Sequence, residues 1–537
     1  MTGDALTQTQ KLTLLACAVS TMLVTIDFTA MGVVITPIEK DLDSDLSTLQ
    51  WIINGYFLMF AALLVTGGRL ADMFGRRKIL VAGLVIFAAM SLLGALAATD
   101  WWLIGARVLQ GAGGALLWPA AMGIAFAVVP PSRKAFAMGI IIGAAGLGTA
   151  LGPALGGLFG ELVSWRLVLY FNIPVAAAAL AIALRYVADD AGESGEHRID
   201  YAGVATFGGG LAALLVAIDQ SSAWGWGDER TIGLLVLSAL LFGALALVER
   251  RGSQPLLPSD VIRNRRFLLP ALVGSTLAAP FFITVLYTPQ FLEKFKGWTT
   301  LAAGAGTLPV TIAFAAVAFF ASRFYARLGA RVLVTGSAFL ISLGALVLAL
   351  VDETTSYAVM IPGLAVMGVG LGIGLSAANT AAVSAVEPRR TAVAAGIAYM
   401  LRTMVATIIV AVATAVYISA GDSRLTDTLN AEGVSLSSTK ISKLEGSLAG
   451  TESAQQVLGQ LPAKQADRVE PAVADAFLAS FHDVMFIAAA LAALGGLASL
   501  IFLGGRVHRP HRPELSTLLS GGPHPPAIEH HKEPQET

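Results

Sequence analysis

The chain has 537 residues, 55% hydrophobic and only 13% charged, with a mean hydropathy of +0.72. A soluble globular domain carries about 25% charged residues, so the composition excludes a soluble fold and predicts an all-α polytopic membrane protein. The net charge of −1 gives no sign of a nucleic-acid partner, and a single cysteine, Cys17, excludes a disulfide framework or a cysteine-based metal site within the chain.

A transmembrane helix needs about 20 apolar residues. The first such run, 12–36, is longer than the apolar core of a signal peptide, about 7–15 residues. It contains Asp27 and lacks a small-residue cleavage site, which predicts a retained first span. Further runs fall near 50–67, 79–98, 102–128, 135–160, 165–187, 200–219, 231–249, 265–288, 300–321, 332–351, 356–385, 392–418 and 480–504, about fourteen in all. With 56 glycines, helices are expected to pack closely through small residues.

Cations fall in alternate connections: Arg69 to Lys78, Arg133 with Lys134, Arg185 and Arg198, Arg250 to Arg266, Arg323 to Arg331, and Arg389 with Arg390. The other short connections are cation-poor apart from Lys294 and Lys296. The positive-inside rule makes the first set cytoplasmic, with both termini inside. The polar segment 420–479 is then external, because long loops cross largely regardless of charge. Weak helical periodicity around Ala463 to Phe477 leaves a solvated loop and a short external hairpin or helix as alternatives. The tail 505–537, with His508, His511, His524, His530 and His531, is proline-rich and is predicted to be disordered.

Residues 131–139 read PSRKAFAMG and residues 388–396 read PRRTAVAAG, an internal repeat offset by 257 residues. The connection at 67–78, GGRLADMFGRRK, has a weaker echo in SRFYARLGAR at 322–331, where Gly329 and Arg331 stand for Gly75 and Arg77, an offset of 254. Glycines at both ends of 67–78 allow a tight bend between two spans. The echo has Ala326 where the first copy has Asp72, so the carboxylate is not needed merely to build such a turn. These offsets predict two related six-helix halves, 1–190 and 265–504, separated by a two-helix insert at 191–264.

The stretch Gly68-Arg69-Leu-Ala-Asp72-Met-Phe-Gly75-Arg76-Arg77 resembles the cytoplasmic loop between the second and third helices of the major facilitator superfamily. Gln50-Trp51 and Tyr56 in the second span, Arg107-Val-Leu-Gln110-Gly111-Ala-Gly113 in the fourth, and Phe171-Asn172-Ile173-Pro174 in the sixth support the resemblance. So does Gly148-Thr-Ala-Leu-Gly152-Pro153-Ala-Leu-Gly156-Gly157 in the fifth, and Trp165-Arg166 before the sixth. With about fourteen spans, the chain is similar to the drug:proton antiporters of the EmrB/QacA type. The glycine-rich composition is compatible with a monomer, and the resemblance implies a bacterial plasma-membrane exporter, set among membrane lipids, that exchanges protons for amphipathic, often cationic drugs. It implies no cofactor and no metal, and no Walker-type loop for a nucleotide is found. An exporter of an endogenous lipid, siderophore or metabolite is the alternative on the same scaffold. A membrane enzyme would need clustered His, Asp or Glu at one depth, and the spans offer almost none.

Asp27 is an acid inside a span, where a charge is costly and functional by default. Burial favours the neutral carboxyl, so Asp27 is expected to take up a proton, and the resemblance assigns it, with Thr29, to proton coupling or substrate binding. Gly32 stands where the family commonly has asparagine, and the usual proline comes one residue late, at Pro37. Arg107 is the second intramembrane charge, and the resemblance implies a role in proton transfer. A structural ion pair is the alternative for each. Arg402, in the thirteenth span, is expected to support packing or a polar network. Glu39, Glu161 and Asp219 fall near span ends and read as solvated. Glycines 148, 152, 156 and 157 lie mainly on one helix face that admits a close neighbour, with Pro153 able to bend the helix. In the resembled family that pattern goes with antiporters. At the 67–78 connection, Asp72 near a helix N-terminus gains from the macrodipole, and Arg69, Arg76 and Arg77 can fork onto carboxylates or lipid phosphates. This predicts a latch holding the halves outward-open, with the partner of Asp72 on the other half.

Overall fold

The computed structural model describes residues 6–42, 44, 46–190, 200–251, 257–431 and 463–504. The tail with its five histidines, the central part of segment 420–479 and the side chains of Glu161 and Asp219 lie outside the described residues.

Every regular element among the described residues is helical. The first half comprises α1 (Gln8–Val33), the short α2 (Ile35–Leu42), α3 (Leu46–Phe74), α4 (Arg76–Ala95), α5 (Asp100–Ala127), α6 (Lys134–Leu162) and α7 (Arg166–Tyr186). Thr7 starts α1 with a reciprocal capping box, its hydroxyl accepting from the Gln10 N–H while the Gln10 side chain accepts from the Thr7 N–H. The inserted pair is α8 (Tyr201–Trp224) and α9 (Glu229–Arg251). The second half comprises α10 (Ser259–Ile262), α11 (Arg265–Lys296), α12 (Thr300–Ala305), α13 (Leu308–Leu348), α14 (Tyr357–Ser384), α15 (Thr391–Ala431) and α16 (Ala463–Phe502). Fourteen helical spans among the described residues are long and apolar enough to cross a membrane. An even number of crossings puts both ends of the described chain on one side.

The repeat is visible in the backbone. Pro131–Arg133 and Pro388–Arg390 each form a three-residue 3₁₀ turn at the foot of a long helix, α6 and α15 respectively. Gly75 (φ 104°) separates α3 from α4, and Gly329 (φ 73°) kinks α13 between its two spans. Both glycines hold a positive φ, which side chains resist.

One expectation needs correction. The connection at 67–78 is not a loop with glycines bending both ends. Helix α3 runs through Gly67 and Gly68 to Phe74, and Gly75 alone makes the turn. The two earlier glycines stay helical because they serve close packing instead. Of the two alternatives for segment 420–479, the described residues favour the helical one, with α15 continuing to Ala431 and α16 starting at Ala463. The 41 residues of α15 extend roughly 60 Å, twice the hydrocarbon thickness of about 30 Å. Leu425 and Leu429 at its outer end share a buried cluster with Val469, Ala472, Val473 and Ala476 of α16. Apolar residues at helical spacing on both helices carry them beyond their hydrophobic spans.

Two of the buried clusters reach across the halves. One buried cluster joins Leu14, Leu64, Phe87 and Trp118 of the first half to Ala392, Val393, Ile397 and Met400 of α15. A second lies mainly within the second half, with Ile142 of α6 joining it. The inserted pair packs at the periphery. Ser238 of α9 donates to the Gly210 carbonyl of α8 at 2.9 Å, and Phe207 meets Phe242 edge to face.

Candidate functional site

Asp27 and Arg107 meet inside the first half. Both side chains are completely buried, and Arg107 Nη1 donates to Asp27 Oδ2 at 2.6 Å. A buried pair needs its remaining polar atoms satisfied; the neighbours satisfy both Asp27 oxygens and Nη1 and Nε of Arg107, while Arg107 Nη2 and Asn172 Oδ1 keep no hydrogen-bond partner among the described residues. Asn172 Nδ2 (2.6 Å) and Gln110 Nε2 (3.2 Å) donate to Asp27 Oδ1. Arg107 also donates to Gln110 Oε1 at 2.7 Å and, through Nε, to the Ile52 carbonyl at 3.4 Å. Asn172 donates in turn to Ser91, which donates to the Leu169 carbonyl at 2.9 Å. Five elements therefore converge on one carboxylate: α1, α3, α4, α5 and α7. Thr29 does not join them. Its hydroxyl donates to the Thr25 carbonyl at 2.8 Å, and it sits on the face of α1 that meets α6.

A cavity of about 210 Å³ lies between the halves, lined by α1, α3, α5, α6, α11, α13, α14 and α15. Its wall is aromatic, with Phe28, Phe57, Phe60, Trp118, Phe281, Phe314 and Tyr399 among the lining residues. Asp27 and Arg107 are not in that wall, although Thr25, Phe28 and Thr29 from the same helix are. An aromatic row connects the two places. The Arg107 guanidinium lies 4.3 Å over the Tyr56 ring, Tyr56 stacks parallel to Phe60, and Phe60 meets Tyr399 edge to face. The Arg402 guanidinium lies 4.2 Å over the Tyr399 ring. Arg402 thus lines the cavity instead of only supporting the helix packing around it.

Helix α6 explains its glycines by contact. A Cβ at Gly148 would sit 2.6 Å from the Met22 carbonyl, at Gly152 2.9 Å from the Ile26 carbonyl, and at Gly156 2.6 Å from the Ala30 carbonyl. Gly160, which the motif does not include, meets Val34 in the same stripe. Gly157 is buried one residue off the stripe. A second small-residue face of α6 meets the other half, where Gly139 abuts the Ala318 carbonyl and Gly143 the Phe319 ring. Pro153 lies inside α6 without ending it.

At the cytoplasmic end, Asp72 bridges the halves. Its Oδ2 accepts from the Val393 N–H at 2.8 Å and its Oδ1 from the Ala392 N–H at 3.3 Å. These are unpaired donors in the first turn of α15, where the helix dipole also favours an anion. Arg76 completes the contact, donating to Asp72 Oδ1 at 2.9 Å and to the Pro388 carbonyl at 2.5 Å. Gly68 brings the backbones together, because a Cβ there would lie 2.8 Å from Val393 Cα. Arg69 is buried beside them. Arg77 turns away from the seam, bonding to the Leu184 carbonyl and, through its backbone, to Asp190, both in the first half. Of the expected latch, Gly68 and Asp72 reach α15, Arg76 reaches the turn before it at Pro388, Gly75 makes the turn after α3 and Arg77 braces α4.

Outside the spans, Asp41 of α2 holds Arg166 and the Trp165 indole N–H at the start of α7. Those hydrogen bonds, chiefly the one from Arg166, hold its carboxyl below the usual range.

Asn172, Gln110 and Ser91 had no assigned role in the sequence reading, although the first two stand in quoted motifs. A single amide in a span signals a polar partner without saying which.

A model of the Major Facilitator Superfamily matches residues 17–411. The chain is 34% identical over 299 residues to a tetracenomycin C resistance and export protein of Streptomyces glaucescens, an alignment covering 56% of each chain. It is 32% identical to a puromycin resistance protein of Streptomyces alboniger, over 70% of this chain and 75% of that one. Among solved structures, a human organic anion transporter matches with a TM-score of 0.57 at 14% identity, covering 91% of this chain and 99% of that chain. A proton:xylose symporter matches with a TM-score of 0.57 at 12% identity, covering 92% and 96%. At these identities the two structures share the fold.

Proposed function

The chain belongs to the Major Facilitator Superfamily, a family of multi-pass membrane transporters and not of enzymes, and on that premise we propose that it exports amphipathic small molecules in exchange for protons. The observation that carries the reading is the Asp27–Arg107 pair. It is completely buried, lies outside the cavity wall, and is joined to that wall by the Tyr56 ring. Such a pair can exchange a proton without meeting the substrate. A proton arriving on Asp27 neutralises the carboxylate and frees the Arg107 charge, which then bears on Tyr56 and the cavity beyond. A proton leaving restores the pair.

The scaffold supports alternating access between the halves. Asp72 and Arg76 hold the cytoplasmic seam at the start of α15, and breaking their bonds would let that side open. The close α1–α6 packing lets the first half move as one body. Cavity, acid pair and latch are all built from one chain, which supports a monomeric working unit in the lipid bilayer. The resistance and export proteins among its relatives make antibiotics or other drugs the natural candidates. The membrane potential adds about 2.3 kcal/mol per charge per 100 mV to an exchange that moves net charge.

The test is a reconstituted vesicle carrying a pH gradient. Substrate addition should release protons, and a gradient should drive substrate accumulation. Substrate movement that is indifferent to the gradient and releases no protons would refute exchange.

A further inference from the structure

The central cavity has one sign of charge. Arg402 is the only charged side chain among its lining residues, and it has no carboxylate partner among the described residues. The one intramembrane carboxylate nearby, Asp27, is neutralised by Arg107 and lies off the wall. Two more lining residues carry an unsatisfied buried polar atom, an indole that can only donate and a hydroxyl that can donate or accept. The Trp118 indole N–H and the Tyr56 hydroxyl are buried without a hydrogen-bond partner among the described residues. An indole nitrogen can only donate, and an orphaned buried donor costs free energy that a ligand acceptor recovers. Around these groups the wall is aromatic, which suits a planar ring system.

From this we propose that the preferred substrate is an acidic, acceptor-rich planar aromatic: a polycyclic phenol, quinone or carboxylate carried as its anion. The inference rests on the export reading and deepens it. A cationic drug would face the Arg402 guanidinium with no carboxylate to offset it. An anion places its charge on Arg402, its rings against Phe60 and Tyr399, and its carbonyl or phenolate oxygens toward Trp118 and Tyr56. Arg402 also stands on the helix that carries the latch. Nine residues separate it from Val393, roughly 14 Å along α15. A substrate anion held by Arg402 therefore bears on the same rigid helix whose first turn Asp72 grips.

The test pairs two xanthene dyes of similar shape and opposite charge, carboxyfluorescein and rhodamine 6G. Binding to the purified full chain is read by fluorescence polarisation, and export separately in proteoliposomes with a pH gradient. Wild type should bind carboxyfluorescein at least about tenfold more tightly than rhodamine 6G, as expected for a desolvated charge contact. Arg402→Gln should erase that preference and leave rhodamine 6G binding unchanged or improved, while Arg402→Lys keeps part of it. Trp118→Phe should weaken carboxyfluorescein binding about threefold without affecting rhodamine 6G. Preference for rhodamine 6G in wild type, or equal loss of both dyes in Arg402→Gln, would overturn the proposal. Anion-selective binding without gradient-driven export would instead sink the exporter reading and leave the charge preference standing.

Discussion

Asp72 and Val393 meet across the two halves, carboxylate oxygen to backbone N–H at 2.8 Å, at the first turn of α15. A hydrogen bond to a charged group contributes about 1.5–3 kcal/mol, and the helix dipole adds roughly 0.3–1 kcal/mol. Asp72→Asn keeps the shape and removes the charge. It should lower the transport rate about tenfold and leave KM within about twofold, because the contact stabilises one conformation and touches no substrate. Transport kinetics in vesicles check this; an unchanged maximal rate would refute the latch.

Asp27→Asn strands the Arg107 guanidinium in a buried site. Removing one partner of such a pair costs about 3–5 kcal/mol, so the variant should unfold at a lower temperature and lose gradient-driven efflux. Arg107→Gln on that background removes the stranded charge and should recover much of the thermal stability. Efflux should stay lost. Thermal unfolding in detergent and vesicle transport, measured on the same preparations, separate structural from coupling roles. Efflux recovering along with stability would make the pair merely structural.

The stripe on α6 predicts a graded series. A methyl at Gly152 would strike the Thr29 hydroxyl and also crowd the Ile26 carbonyl, whereas one at Gly156 would meet the Ala30 backbone alone. Gly152→Ala should therefore impair transport and be partly rescued by Thr29→Ala, while Gly156→Ala finds no side chain whose removal helps. Proton leak in vesicles is the readout: both single variants should leak, and Thr29→Ala should reduce the leak only with Gly152→Ala. Equal rescue of both would discredit the geometry.

At the outer surface, the hydrogen bonds from Arg166 and Trp165 lower the folded-state affinity of Asp41 for protons. A carboxyl depressed on folding adds stability above its unfolded value, near pH 4, and loses it as pH falls through the lower folded value. The pair is partly exposed, so the contribution is under about 1 kcal/mol. Asp41→Asn should lower the melting temperature by about a degree at pH 7, and the difference should close once the pH falls below the folded value of Asp41. A gap that persists there would assign the effect to packing.

Hydropathy and loop charge made the spans and their orientation legible, because the bilayer imposes a length and the cytoplasm a charge sign. The acid pair was legible residue by residue, since Asp27 and Arg107 are costly where they stand. The Asp72 partner was legible only in part. A carboxylate present in one repeat and absent from the other pointed across the seam, but backbone N–H groups carry no sequence signature. Gly67 and Gly68 misled because a glycine that lets helices touch and one that turns the chain are written with the same letter. The helical extension at Leu425 was hidden by polar residues between the apolar ones, which hydropathy averages away, whereas weak periodicity around Ala463 to Phe477 marked the one at Val469. The sign of the cavity was illegible until Asp27 proved to face inward and Arg402 the opening.

Helix α6 carries bare backbone on two sides, toward α1 at Gly148, Gly152 and Gly156 and toward the other half at Gly139 and Gly143. At Gly148, Gly152, Gly156 and Gly139 the helix faces a neighbouring backbone carbonyl with no side chain of its own between them. A joint between halves that must shift in every cycle is also the path along which a proton gradient would drain. On the exchange reading, the small residues of α6 would act as a gasket at those contacts, and a methyl group added there would part the helices and let the gradient leak.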